Sequence, residues 1–183
     1  MKNRFFLMLL SVALIGAGCS YQRQLVKGGQ IHGKARIAAV LPLVNLSGHP
    51  HAGRIVGDLL VTELYAGTAF QLMEHTLMLT HLNSDQQDWD EVLERQSALA
   101  LGEKLGVDTV IFGSVTEYRY KRGLDEDPVV GINLRLLDVA SRQILWAGSK
   151  SASGGCFWFC EDSLNRLTQR VCHDLVSAMA AAR

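Results

Sequence analysis

Four cysteines and six histidines carry most of the chemistry this sequence could do. An imidazole or a thiolate becomes a metal ligand or a nucleophile only beside partners at suitable spacing. His32, His49, His51, His75, His81 and His173 are scattered along the chain, and His49-Pro50-His51 has no third ligand nearby, so it reads as a solvated turn. Cys172 and His173 are adjacent in a helical segment, where their side chains diverge by roughly 100°. A zinc site with Cys156 and Cys160 would have to bend that helix. Ser114 follows a glycine, but the surrounding IFGSVTE continues a strand and does not turn into a helix as a nucleophile elbow does. Gly28 to Lys34 has the spacing of a phosphate loop, yet Ala35 stands where the magnesium-holding hydroxyl belongs, and the segment opens a strand instead of a helix. These residues support no catalytic site, no cofactor and no metal. They describe a binding or assembly module, not an enzyme.

Two other stretches concentrate unusual chemistry. Asp125, Glu126 and Asp127 fall in one turn, GLDEDP. Phe157, Trp158 and Phe159 run consecutively between Cys156 and Cys160. Turns are usually polar, and three adjacent rings cannot all face one core on a helix or a strand. A loop tip that dips into a lipid interface accommodates them, Trp above all. Packing against a neighbouring subunit is the alternative. In an oxidising compartment Cys156 and Cys160 are close enough to form a disulfide that would close the loop. Cys172, on the apolar side of the last helix, would then be a buried free thiol.

The N-terminus gives the compartment. MKNR is followed by an apolar stretch ending GAGC, with the order of a secretory signal. The stretch is too short for a membrane span of roughly 20 residues. GAGC at Cys19 resembles a bacterial lipobox, so residues 1–18 read as a lipoprotein signal peptide and Cys19 as the lipidation site. Palmitate incorporation at Cys19 is expected. Ser20 follows Cys19 in place of an Asp, a pattern that implies the outer membrane, on its periplasmic face. Loss of Lys2 and Arg4 leaves 16 basic and 18 acidic residues, a net charge near −2. No basic stripe suggests a nucleic-acid partner.

The elements that must position these residues follow from periodicity. Residues 19–35 read as a lipidated N-terminus and flexible tether, and 36–183 as a single domain. RIAAVLPL is a buried strand. Residues 53–66 have helical apolar spacing ending at Gly67. Phe70–Glu74 is a short strand, and residues 88–105 read as one or two helices with Gly106 as the cap. VDTVIFGSVTEYRYKR is a long strand alternating from Val115, with Tyr118 and Tyr120 read as strand packing. Residues 128–139 and 143–153 make a hairpin turning at ASRQ. Leu164, Leu167, Val171, Leu175 and Met179 line a C-terminal helix. The order β-α-β-α-β-β-β-α predicts an α/β fold: a mixed twisted sheet with helices packed on it.

AVLPLVNLSGHPHAG, VIFGSVTEYRYKRGLDEDPVVGINLRLLDVASRQILWAGSKSASGG and the Trp158 region before EDSLNRLTQRV resemble the PelC family, outer-membrane lipoproteins of Pel exopolysaccharide export. The resemblance runs from about Arg36 to the C-terminal helix. It implies a fold related to the periplasmic part of curli-secretion lipoproteins. It also implies a homo-oligomeric ring, a dodecamer, beneath an outer-membrane export porin. The ring would guide a cationic amino-sugar polysaccharide in biofilm matrix formation. By this resemblance Asp125, with Glu126 and Asp127, forms a polysaccharide-guiding acidic turn. Trp158, with Phe157 and Phe159, forms a membrane-contacting loop. DEDP replaces the family's usual DGEP, and GGCFWFCEDS is longer than its Gly-Trp turn. A lipoprotein activator of a periplasmic cell-wall synthase and a curli-type secretion-pore subunit are the other function classes considered. No segment of alternating residues is spare for the barrel strands a pore would need.

Overall fold

A computed structural model describes the backbone of residues 21–26 and, more fully, residues 36–74, 78, 94–121, 127–154 and 163–182. Seven strands form one mixed sheet in the order β1-β7-β6-β5-β2-β4, with β3 pairing off this path onto β5. The strands are β1 (Tyr21–Val26), β2 (Ile37–Val40), β3 (Val44–Asn45), β4 (Gln71–Leu72), β5 (Thr109–Tyr120), β6 (Pro128–Asp138) and β7 (Gln143–Ser153). The helices are α1 (Ala52–Gly67), α2 (Arg95–Leu105) and α3 (Leu164–Ala181). This is the mixed α/β architecture that the element order predicts.

Each helix buries the stripe its spacing defines. Val56, Leu60 and Leu64 of α1 and Leu167, Val171, Leu175 and Met179 of α3 pack on one sheet face, against Ile111, Ile132, Leu134, Leu136 and Trp146. Ala98, Leu101 and Leu105 of α2 cover part of the other face, against Val110, Phe112 and Leu137. Helix α2 ends at Gly106, whose φ of 66° is left-handed, as the expected cap requires. Ser163 caps α3, its Oγ accepting from the Arg166 N–H at 3.2 Å.

Two expectations need correction. Residues 21–26, read as part of a flexible tether, form β1, paired antiparallel with β7 from Tyr21↔Ser151 to Val26↔Trp146. Without it β7 would be an open edge of unpaired N–H and C=O groups, and a short polar segment is what such an edge accepts. The rest of the expected tether lies outside the described residues. In β5, simple alternation from Val115 places Tyr118 on the opposite face. A bulge between Val115 and Glu117 resets the register, so Val115 and Tyr118 share one core.

The hairpin turn is built by Asp138. Its Oδ2 accepts from the Ser141 N–H at 2.8 Å and the Ser141 hydroxyl at 2.6 Å. Its Oδ1 accepts from Arg36 at 2.7 Å. Burial pushes the carboxyl up, but the Ser141 hydrogen bonds and the Arg36 charge outweigh it and hold the group below its ordinary value. A depressed carboxylate contributes stability above its unfolded pKa and loses it as pH falls through the folded one. Asp138→Asn should therefore cost about 1–2 kcal/mol at pH 7, and the gap from wild type should shrink in urea melts below about pH 4. A gap of equal size at pH 3 would show that the charge contributes nothing.

Candidate functional site

The strand pairings bring four segments to one end of the sheet. Tyr120 ends β5 opposite Pro128, which opens β6. Val129 is paired with Ser153, at the end of β7. Tyr21, the start of β1, is opposite Ser151. Two backbone hydrogen bonds close the loops that leave this end. The Lys121 N–H donates to the Asp127 carbonyl at 2.7 Å, and the Gly154 N–H donates to the Pro128 carbonyl at 2.8 Å. The acidic turn and the aromatic loop thus close on adjacent residues, Asp127 and Pro128.

Of the candidate residues, Asp127 is described and half-buried. Asp125, Glu126, Cys156, Phe157, Trp158, Phe159, Cys160 and Cys19 lie outside the described residues.

Beside this end, residues 45–51 form a tight hydrogen-bonded loop. Asn45 Nδ2 donates to the His49 carbonyl at 2.7 Å, and the Ser47 hydroxyl donates to Asn45 Oδ1 at 2.7 Å. His51 enters α1 with φ 62°, and His49 lies edge-on to the Tyr118 ring at 5.0 Å between centroids. The HPH run is therefore a structural turn. Tyr118 is 3% exposed, its hydroxyl donates to Asn165 Oδ1 at 3.0 Å, and burial raises its pKa. Tyr118 is packed, as its strand reading expects. Tyr120 departs from that reading, being 44% exposed. Its phenol oxygen accepts from the Leu164 N–H at 3.4 Å, at the start of α3.

A second polar cluster lies between α1 and α3. Glu63 accepts from Gln169 Nε2 at 3.2 Å and from His173 Nδ1 at 3.0 Å. With Arg166, Arg170 and Asp174 they line a shallow cavity of about 270 Å³. The spacing 166, 169, 170, 173 marks one helix face, a signal the sequence reading passed over. Cys172 points the other way, fully buried. Burial, with the Glu63 charge, pushes its thiol up to about 12. The described residues contain no group of three metal-ligating side chains and no helix long and apolar enough to cross a membrane.

No family model and no curated protein sequence matches the chain. Solved structures do match in fold. The PelC dodecamer from Paraburkholderia phytofirmans is 22% identical, with 90% of this chain and 100% of that one covered at a TM-score of 0.66. Lipoprotein GNA1162 from Neisseria meningitidis is 23% identical, with 79% and 97% covered at 0.58. The LpoB C-terminal domain from Salmonella enterica is 14% identical, with 67% and 86% covered at 0.52. The chain has the fold of PelC, a mixed α/β fold that it shares with lipoprotein GNA1162 and the LpoB C-terminal domain.

Proposed function

We propose that the protein is a lipid-anchored outer-membrane subunit that assembles a periplasmic ring and guides a cationic Pel-type amino-sugar polymer toward an export porin. The observation that carries this reading is the convergence at one end of the sheet. Strand β1 begins at Tyr21, two residues after Cys19, a reach of roughly 7 Å. A lipid on Cys19 therefore brings to the bilayer the same end of the sheet that carries the bases of the acidic turn and the aromatic loop. The lipid and the rings act as two membrane contacts, which matters because one acyl chain holds a protein only marginally. Repeated around a ring, the carboxylates of residues 125–127 sum to a field that attracts a polycation and weakens with salt. The match to a PelC structure described as a dodecamer supports the ring.

The test uses a soluble form lacking residues 1–19. Light scattering should give a closed oligomer; a folded monomer sinks the ring and selects the activator reading. Phe157→Ser, Trp158→Ala and Phe159→Ser together should keep the oligomer and weaken liposome flotation several-fold. Loss of the oligomer with folded monomers would instead assign the rings to subunit packing, and flotation equal to wild type would remove the membrane role.

A further inference from the structure

We infer that Tyr120 is a stacking platform for amino-sugar rings at the rim of the acidic turn. This rests on the guide function above and names a contact that function lacks. Four large apolar side chains are exposed among the described residues: Ile37, Leu46, Tyr65 and Tyr120. Tyr120 alone of these adjoins the acidic turn, since the next residue, Lys121, closes it through the Asp127 carbonyl.

The ring is held in place. Its backbone lies in the β5–β6 ladder opposite Pro128. Its phenol oxygen accepts the Leu164 N–H, one of the donors that a helix N-terminus leaves without a partner. A fixed aromatic face loses little freedom when a ligand packs on it.

The chemistry fits an amino sugar. Such a ring presents an apolar C–H face and an ammonium. A tyrosine face packs on the first and attracts the second through its quadrupole. The neighbouring turn supplies carboxylates for further ammonium groups along the polymer. The contact is weak and single, which suits a polymer that must be released as well as captured. The hydroxyl also separates this role from that of an interfacial tyrosine. At a membrane the phenol tip stays among wet headgroups, whereas here it is turned inward to α3.

The experiment titrates the soluble ring lacking residues 1–19 with a partially deacetylated glucosamine oligosaccharide and with its fully acetylated counterpart. Tyr120→Leu keeps apolar bulk and removes the π-face; Tyr120→Phe keeps the face and removes the hydroxyl. The variant Y120L should bind the deacetylated probe about three- to tenfold more weakly, Y120F within twofold of wild type, both with the oligomer intact. Equal affinity of Y120L and wild type overturns the platform. So does a loss of liposome binding in Y120L without loss of oligosaccharide binding, which gives the ring to the membrane. Equal weakening in Y120L and Y120F overturns it as well, since the hydroxyl would then be what matters. A separate outcome concerns the guide function: if the Asp125→Asn, Glu126→Gln, Asp127→Asn triple variant loses the probe while Y120L keeps it, the acidic turn stands and the platform falls. If wild type binds neither probe, the guide function fails and the platform with it.

Discussion

Serine in place of Cys19 is expected to abolish labelled-palmitate incorporation and to shift the protein from the membrane fraction to the soluble fraction or to an unprocessed precursor. The thiol is the atom the lipid would be attached to, and a serine hydroxyl does not replace it in a lipobox. Folding should be untouched, because Cys19 precedes β1 and the cores are built from residues of 36–182. Loss of placement therefore separates cleanly from loss of stability: polymer export should collapse while the melting temperature of the folded domain stays within a degree or so of wild type. Palmitate label that survives the substitution rejects Cys19 as the anchor.

The largest expected effect on stability lies at Trp146. Trp146 is completely buried, in the layer between the sheet and α3. Its indole lies over Gly148. A Cβ there would meet the ring at 2.4 Å and Leu175 at 3.3 Å, so the glycine is the space the indole occupies. Trp146→Ala should cost about 3–5 kcal/mol, a large part of the roughly 5–15 kcal/mol that holds a domain folded. Trp146→Phe should cost much less, about 1–2 kcal/mol. Nε1 is buried with no hydrogen-bond partner among the described residues, so phenylalanine gives up area but also removes an unsatisfied donor. Urea unfolding of both variants checks this, and costs equal within experimental error would mean that the cavity does not set the price.

The helices and the hairpin were legible because their signals are local. The stripe Leu164, Leu167, Val171, Leu175, Met179 fixes both the existence and the inward face of α3, and Asp138 with Ser141 determines the turn at ASRQ. What could not be read depends on partners far away in sequence. Strand β1 looks like a tether because its partner, β7, lies more than a hundred residues on. The bulge at Val115–Glu117 leaves no mark in the composition, yet it decides which face both tyrosines take. Tyr118 and Tyr120 are equivalent in an alternating pattern, and only the tertiary structure distinguishes the packed ring from the exposed one. The acidic and aromatic segments stood out by composition; that both close on Asp127 and Pro128 is a matter of strand register.

The position of β1 also bears on how the molecule withstands pulling. A lipid on Cys19 would pass any tension between bilayer and protein into the chain at Tyr21, along the axis of a strand whose first residue lies at the end of the sheet where β5 meets β6 and β7 ends. Strand β1 is paired with β7 at six successive positions. Tension along that axis acts as shear, so the six pairs resist together, whereas tension across it would peel them one at a time. A protein dragged by a moving polymer would thus be tethered in its mechanically stronger direction.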